Sequence, residues 1–349
     1  MTGYVPGEQP APGERVVKLN TNESPFPPSP AVMAAIRDLE PERLRVYPPP
    51  TAHAFREAAA SLHGVAPENV LAGNGSDDVL TIVTRAFVPP GGRVASPWPT
   101  YSLYPVLCEI QGAHHVRVDW DDEWSLPVSR LLAVRADAIY LANPNAPSGT
   151  ASPPEEIAEL ARRFKGLLVV DEAYVDYADR DCVTLLADHP NLLISRTLSK
   201  GYALAGLRFG YALAHEEVIA AMMKVKDSYN TDALGQVAAV AALADRDYAA
   251  RMWQHVRDER ARLTLELQLM GLAVAPSQAN FVLARHPDYP DAGVLYDGLR
   301  KQGVLVRHWN EPGLQDAIRI TIGTSQENNA LVAALNQLLG KPETAGEPG

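Results

Sequence analysis

Lys200 and Arg208 are the residues of this sequence whose surroundings most favour chemistry. They lie eight positions apart in RTLSKGYALAGLRFGY (196–211), and small or apolar residues fill most of the interval. Because burial disfavours an ammonium ion, a lysine in such a poorly hydrated stretch loses its proton readily and can form a Schiff base with an aldehyde cofactor. Arg208 stays charged and suits a phosphate, and Ser199 adds a hydroxyl beside the lysine. The alternative is two surface cations around a small-residue turn.

A glycine-rich turn, GNGSD at 73–77, forms a second candidate anion site ahead of a predicted helix. Its glycines let the backbone approach a ligand closely, and the helix start at Ser76 and Asp77 offers free N–H groups at the positive end of the helix dipole. The alternative is an ordinary capped strand-to-helix turn. The spacing matches neither the dinucleotide-binding fingerprint nor the Walker A loop, so we exclude both.

Four further residues follow the ends of predicted strands, where ligands of parallel sheets bind. Tyr101 could stack on a planar ring, or belong to the core. Asn145 could donate a hydrogen bond to an oxygen of that ring, or stabilise its own turn-rich loop. Asp171 ends an apolar strand, where a carboxylate needs a proton donor such as a pyridinium N–H; capping the next helix is the alternative. Tyr174 could direct its phenol at a ring hydroxyl.

Two arginines, Arg307 in VLVRHWN and Arg319 in AIRITIG, lie on short strands predicted near the C-terminus. Converging from neighbouring strands, they would bind an anionic group of a substrate, and a pair of exposed strand charges is the alternative. Taken in chain order, the anion turn, the aromatic, the amide, the strand-end acid, the lysine and the arginine are the groups that a buried pyridoxal phosphate needs. The sequence therefore predicts a pyridoxal phosphate site.

A sheet must position these residues, because strands and helices alternate from about residue 68 to 214. The alternation predicts an α/β fold, a three-layer sandwich with a mainly parallel sheet covered on both faces. A long helix over about 247–270 leads into the short strands FVLAR, VLVRH and AIRITIG and a last helix, which predict a smaller α+β domain. The predicted division is a proline-rich N-terminal arm at 1–28, a large domain at 29–246 and a small C-terminal domain at 247–349.

Composition narrows the function classes. The chain has 349 residues with 31 Lys and Arg against 42 Asp and Glu, a net charge of −11, so it lacks the basic footprint of a nucleic-acid-binding protein. Cys108 and Cys182 form neither a disulfide framework nor a zinc-binding spacing, which is typical of a reducing compartment. The N-terminus lacks a signal-peptide pattern and no apolar run is long enough for a membrane helix, so we expect a cytoplasmic protein without a metal. The polar tail KPETAGEPG is expected to be disordered.

Several motifs also resemble a known family. They are YVPGE, LNTNESPFPPSP, YPPP, GNGSDD, PTYSLY, NPNAPSGT, VVDEAYVDY, TLSKGYALAGLRFGY and AIRITIGT, spread over about residues 4–340. Together they resemble the fold-type-I pyridoxal-phosphate aminotransferases and, within them, the histidinol-phosphate aminotransferases. The departures nearest to the substrate are NES, where the family usually has NEN, and the loop at Trp309.

The resemblance implies a role for each candidate residue. Lys200 would form the Schiff base and move the proton during the reaction, and Asp171 would pair with the pyridine nitrogen. The other cofactor contacts would be made to the ring hydroxyl by Tyr174 and Asn145, to the ring face by Tyr101, and to the phosphate by Ser76, Asp77, Ser199 and Arg208. The substrate site would be lined by Tyr4, Asn22, Arg307 and Arg319. Tyr47 would reach the phosphate from a second subunit, so a homodimer with shared active sites is implied.

The function implied is an aminotransferase that acts on a small-molecule amino donor and a 2-oxo-acid acceptor. The leading reaction converts L-histidinol phosphate and 2-oxoglutarate into imidazole acetol phosphate and L-glutamate, in histidine biosynthesis. Two alternatives of the same subgroup stay open, an aromatic amino-acid aminotransferase and a decarboxylase of a phosphorylated amino acid. From a different class, a non-catalytic pyridoxal-phosphate-binding or regulatory protein is the further alternative.

Overall fold

The structure, a computed structural model, describes residues 3, 7–11, 13–121, 124–289 and 291–340. Its strands are β1 (Val17–Lys18), β2 (Val70–Gly73), β3 (Arg93–Trp98), β4 (His114–Asp119), β5 (Ala138–Ala142), β6 (Leu167–Asp171), β7 (Leu192–Thr197), β8 (Gly210–Ala214), β9 (Ala273–Val274), β10 (Phe281–Arg285), β11 (Val304–Leu305), β12 (Arg307–His308) and β13 (Ala317–Thr321).

Helices alternate with these strands. They are α1 (Pro30–Arg37), α2 (Glu42–Arg45), α3 (His53–His63), α4 (Ser76–Phe87), α5 (Leu103–Gln111), α6 (Val128–Ala133), α7 (Pro154–Arg163), α8 (Glu216–Met223), α9 (Ala233–Ala244), α10 (Arg246–Leu269), α11 (Gly293–Lys301) and α12 (Ser325–Leu338). Within the described residues, none of them is both long and apolar enough to cross a membrane.

The central sheet has the strand order β2-β8-β7-β6-β5-β3-β4. Strand β8 runs antiparallel to both of its neighbours, and the other pairings are parallel, so the mainly parallel sheet predicted from the sequence is confirmed. Asp171 at the end of β6 lies directly opposite Ala142 of β5 and Ser195 of β7. The carboxyl ends of these strands therefore share one edge, and the residues that follow them are neighbours.

Both faces of the sheet are covered, because alternate side chains of each buried strand enter different cores. In β6, Leu168 and Val170 join one apolar cluster, whereas Val169 joins the other. Helix α7 packs on the first side through Ile157, and helix α4 packs on the second through Leu80. Because both faces of the sheet are buried, its central strands carry apolar side chains towards both sides, as expected for the predicted three-layer α/β sandwich.

A second, smaller sheet of order β12-β13-β10-β9 is antiparallel. The sequence predicts one strand over VLVRH, which is wrong. Val304–Leu305 pairs in parallel with β1 of the N-terminal arm, whereas Arg307–His308 pairs with β13, so the segment leaves one sheet and joins another at Val306. The apolar pattern cannot reveal such an exchange of partners. The division into arm, large domain and small domain stays a prediction.

Candidate active site

One cavity lies at the carboxyl edge of β5, β6 and β7, between the large sheet, the arm and the small sheet. It is lined by eleven of the residues that the sequence singled out. They are Asn22, Ser76, Asp77, Tyr101, Asp171, Tyr174, Ser199, Lys200, Arg208, Arg307 and Arg319. Residues from both ends of the chain thus meet in a single space, as the strand-end argument requires.

Lys200 lies just after β7, in a turn that is folded over the cavity. Its Nζ donates a hydrogen bond of 3.1 Å to the carbonyl oxygen of Thr21 in the arm. Burial lowers the pKa of Lys200 to about 8, and the positive charges of Arg319 and Arg208 act in the same direction. A larger fraction of this side chain is therefore a neutral, nucleophilic amine near neutral pH than for an ordinary lysine.

Asp171 is 4% exposed, and it carries a carboxylate oxygen that lacks a partner. The Tyr104 hydroxyl donates to Oδ2 at 3.1 Å, whereas no group of the described residues hydrogen-bonds to Oδ1. Burial raises the pKa of Asp171 to about 7, and the hydrogen bond from Tyr104 opposes that rise. A buried carboxylate with an unsatisfied oxygen is costly by itself, so the arrangement fits a ligand that brings a proton donor.

A candidate anion-binding cup, formed by Ser76, Ser199 and Arg208, lies where α4 begins. Gly75 caps the helix at φ 87°, and a Cβ there would lie 2.6 Å from Nη2 of Arg208. Arg208 Nη2 contacts Asp77 Oδ2 at 3.3 Å, and its Nη1 lies 3.4 Å from Ser199 Oγ. A Cβ on Gly210 would collide with the backbone nitrogen of Ser76. Both glycines are needed for this close approach, which brings helix N–H groups, a hydroxyl and a guanidinium around one point, suited to a phosphate.

Two tyrosines form walls of the cavity. The Tyr101 hydroxyl donates to Asp77 Oδ1 at 3.1 Å, and its ring meets that of Tyr104 edge-on with centroids 5.6 Å apart. The Tyr174 hydroxyl accepts a hydrogen bond of 3.0 Å from Asn22 Nδ2. Their rings are therefore held by neighbours on the large domain and on the arm, as a planar ligand requires of its walls.

Asn145 is fully buried but does not line the cavity. Its Oδ1 accepts from the Thr100 hydroxyl at 2.8 Å, and its Nδ2 donates to Ser148 Oγ at 2.9 Å. These hydrogen bonds correspond to the turn-stabilising alternative. The neighbouring residues Pro144 and Ala146 are among those from this loop that reach the cavity.

The wall opposite the sheet combines the arm with the small sheet. The backbone N–H of Asn22 donates to Thr321 Oγ1 at 3.0 Å, and Arg319 Nη2 donates to the carbonyl oxygen of Asn20 at 3.0 Å. Arg307 and Arg319 face each other directly across β12 and β13. The two predicted anion-binding arginines are thus together, and they line the same cavity as Arg208.

Among the described residues, Tyr47 and Asn145 are the predicted site residues that do not line this cavity. Tyr47 is 79% exposed and stacks on Tyr229, with ring centroids 4.4 Å apart. Tyr4 lies outside the described residues. Sequence reasoning also missed residues that line the cavity or support it, namely Thr21, Trp98, Thr100, Tyr104, Ala173 and Glu311. The strand-end rule could have found Trp98 and Ala173, since both lie at or just after a strand end.

Comparison with known proteins gives a consistent result. The family model described as aminotransferase class I and II matches residues 14–335. A histidinol-phosphate aminotransferase 1 from Nostoc sp. is 44% identical over 339 residues, which are 97% of this chain and 96% of the relative. One from Rhodopirellula baltica is 43% identical over 342 residues, 97% of this chain and 94% of that protein.

Solved structures agree with the fold. Histidinol-phosphate aminotransferase from Sinorhizobium meliloti, in complex with pyridoxal-5'-phosphate, aligns with a TM-score of 0.87 and 32% identity over 93% of this chain and 90% of that one. Aspartate aminotransferase from Thermus thermophilus with maleate aligns with a TM-score of 0.82 and 26% identity over 94% and 92%. The chain therefore belongs to the aminotransferase class I and II family, which confirms the family resemblance of its motifs.

Proposed function

We propose that this protein is a pyridoxal-phosphate-dependent aminotransferase whose amino donor is L-histidinol phosphate and whose acceptor is 2-oxoglutarate. The products are imidazole acetol phosphate and L-glutamate. The observation that carries the proposal is the meeting of Lys200, Asp171 and the Arg208 cup in one cavity, which a pair of further arginines also lines. Relatives named histidinol-phosphate aminotransferase, 43–44% identical over 97% of the chain, support this substrate.

Pyridoxal phosphate fits the groups that the cavity offers. The cup of Ser76, Ser199 and Arg208 suits its phosphate, and Asp171, with its unpartnered Oδ1, suits a protonated ring nitrogen. The amine of Lys200, with its lowered pKa, suits the aldehyde. When bound, the cofactor supplies an electron sink for the carbon that loses a proton. Asn145 stays a predicted contact to the ring oxygen.

The residues of the chain divide the remaining work. Lys200 provides the nucleophilic amine and then carries the proton to and from the substrate carbon, since it is a flexible base with a pKa of about 8. Asp171 keeps a proton at the ring nitrogen, because a buried carboxylate is stabilised by a cationic partner. Tyr101 and Tyr174, whose hydroxyls are held by Asp77 and Asn22, would contact the cofactor ring.

Arg307 and Arg319 bind the substrate phosphate in this proposal. They face each other across two strands, and neither belongs to the cofactor cup. Histidinol phosphate carries a phosphate and no carboxylate, so a guanidinium pair is chemically suited to it. The α-carboxylate of an ordinary amino acid carries half the charge of the phosphate dianion, so the same two arginines would attract it less strongly.

A half-reaction panel tests the proposal. The cofactor-loaded protein is mixed in turn with histidinol phosphate, phenylalanine, glutamate and threonine phosphate, and its absorbance spectrum is followed. We expect full conversion with histidinol phosphate and glutamate. Conversion with phenylalanine but not with histidinol phosphate would replace the substrate by an aromatic amino acid. Release of CO₂ from threonine phosphate would make the protein a decarboxylase, and a spectrum unaffected by every compound would leave a binding protein.

We further infer a homodimer with shared active sites. Tyr47 and Tyr229 are 79% and 47% exposed and stack on each other, and Leu44, three residues before Tyr47, is 63% exposed. Lys226 Nζ donates to the carbonyl oxygen of Pro50 at 2.9 Å, so the segments that carry these residues are neighbours. An apolar patch of this kind is expected to be covered by a second copy.

Subunit mixing tests this dimer. One chain carries Lys200→Ala, the other Tyr47→Ala, and each is expected to be inactive alone. If Tyr47 completes the site of the partner, a mixed dimer contains one site with both defects and one site with neither, so about half of the activity per site should return. Mixed dimers that form but stay inactive would exclude the shared site.

A further inference from the structure

The Trp309 ring lies close to both arginines of the small sheet. Its indole ring centroid is 5.4 Å from the guanidinium carbon of Arg307 and 5.1 Å from that of Arg319. Arg307 lies on β12, and Trp309 directly follows this strand. Arg319 lies directly across the ladder from Arg307. One aromatic ring therefore contacts two cations that the strand register brings together.

The indole is itself anchored. Trp309 packs against the buried cluster of Leu283, Leu314 and Ala317, while it also lines the active-site cavity. Arg319 has the Phe281 ring as a further neighbour, with its guanidinium carbon 5.0 Å from that centroid. The arginine pair thus rests on aromatic surfaces held by the core of the small sheet.

This arrangement answers an electrostatic problem. Like charges directly opposite each other on neighbouring strands repel, and the repulsion is stronger next to a poorly hydrated cavity. An indole attracts a guanidinium through the negative face of its ring, and tryptophan does so more strongly than phenylalanine or tyrosine. A ring in contact with both cations offsets part of their repulsion before any anion is bound. Side chains that are already aligned lose less conformational entropy on binding.

We propose that Trp309 is a positioning residue that aligns Arg307 and Arg319 on a doubly charged phosphate, and so sets the preference for phosphate-bearing over carboxylate-bearing amino donors. This inference rests on the proposed function and deepens it. A dianion gains from two aligned guanidinium groups, whereas a carboxylate is satisfied by one of them. Loss of the indole should therefore weaken phosphate binding more than carboxylate binding.

The test uses the cofactor-loaded protein and ligands that cannot react. Calorimetric titration with n-propyl phosphate and with butanoate, at about pH 8 where the phosphate is a dianion, gives two dissociation constants for each variant. Trp309→Ala should weaken n-propyl phosphate at least about 10-fold and butanoate less than about 3-fold. Trp309→Phe keeps an aromatic face and should stay within about 3-fold of wild type for both.

Kinetics add a second readout. With histidinol phosphate as donor, Trp309→Ala should raise KM about 10-fold while kcat changes less than about 3-fold, because the anchoring of the phosphate is lost but the reacting groups are not. Trp124→Ala is the matched control. Trp124 packs against the same apolar cluster and has a guanidinium, that of Arg285, 6.0 Å from its ring, but it does not line the active-site cavity. Its dissociation constants should equal those of wild type.

The outcomes separate the inference from the proposed function. If wild type binds n-propyl phosphate and Trp309→Ala binds it equally well, or loses both ligands to the same extent, the inference is wrong and the function stands. If Trp124→Ala weakens n-propyl phosphate as much as Trp309→Ala does, the effect is on folding of the cluster and the inference is also wrong. If Trp309→Phe fails like Trp309→Ala, an aromatic face is not what aligns the arginines, and the inference is wrong. If wild type binds neither ligand, and histidinol phosphate gives no half-reaction, both fall together.

Discussion

The two walls of the cavity are built in different ways. On the cofactor side, Asp171 and Lys200 end or follow β6 and β7, strands in which every residue is buried. On the substrate side, Arg307 lies on a two-residue strand that is only half-buried. The difference teaches that one fold can hold its reacting groups through a continuous core while it presents ligand-selecting groups on short strands and loops. Chemistry and selectivity should therefore respond differently to substitution.

The sharpest contrast is expected at Lys200. Lys200→Ala removes both the nucleophile and the proton carrier, so kcat should fall by at least about 10⁴-fold. The fold should be intact, since the amine is held by a hydrogen bond to the backbone of Thr21 and not by a buried ion pair. Lys200→Arg keeps the charge without a neutral amine and should be equally inactive. Measurable turnover at the wild-type rate in either variant would refute the cofactor wall as described.

Arg319 tests the opposite wall. Arg319→Ala removes a charge-assisted contact to the substrate anion, so KM for histidinol phosphate should rise by roughly 30- to 100-fold. The dissociation constant for pyridoxal phosphate, measured by absorbance titration, should change less than about 2-fold, because the cofactor cup uses Arg208. Arg285→Ala is the control, since its partner is Asp316 and it lies outside the cavity lining. Equal losses of substrate and cofactor affinity would show that the two walls do not bind substrate and cofactor separately.

Gly201 measures how tightly the cofactor wall is packed. A Cβ at Gly201 would collide with the Asp176 carboxylate, whereas a Cβ at Gly206 meets no atom within 4 Å. Gly201→Ala should destabilise the protein by about 1–3 kcal/mol, and Gly206→Ala should be nearly neutral. Urea unfolding of both variants gives the comparison. If Gly201→Ala were as stable as Gly206→Ala, the residues around Gly201 would be able to move and accommodate the added Cβ.

Asp171 gives the smallest effect, a pH-dependent one. Burial raises its pKa from 3.8 to about 7, so the folded protein keeps a proton that the unfolded chain releases. The stability of the cofactor-free wild type therefore falls as pH rises from about 4 to about 7 and then levels off, as far as this group is concerned. The amide of Asp171→Asn does not titrate, so the Tm of this variant minus that of wild type should grow by about 3 °C between about pH 5 and pH 8. A gap independent of pH would contradict this.

Sequence reasoning predicted the cofactor wall better than the substrate wall. The alternation of apolar strands and helices located Asp171, Ser76 and Lys200 at strand or helix ends, because a parallel sheet leaves few other places for polar groups. It could not find Tyr104, because the hydrogen bond from its hydroxyl to Asp171 joins residues that are 67 positions apart in the sequence. Pairings over such distances depend on strand order, which local patterns do not contain.

The substrate wall was harder for a related reason. VLVRH was predicted as one strand, although its two halves pair with different strands. Trp309 was noted as a departure in a loop, but its contact with both arginines depends on the register of β12 against β13, which places Arg307 opposite Arg319. Asn145 had two interpretations from sequence, and its hydrogen bonds to Thr100 and Ser148 match the structural one. Turn-forming residues predict that a loop is present, but they do not predict where its side chains point.

The pairing of β1 with β11 has a consequence for the order of synthesis. Val17 pairs with Val304, and the backbone N–H of Asn22 donates to Thr321. These contacts cannot form until the C-terminal residues have been synthesised. The N-terminal part of a chain leaves the ribosome long before the C-terminal part has been synthesised. The stretch that contacts Lys200 through Thr21 is therefore among the first parts to emerge and among the last to settle. A nascent chain can complete its large sheet early, yet it closes the catalytic cavity only when nearly all of it has been made.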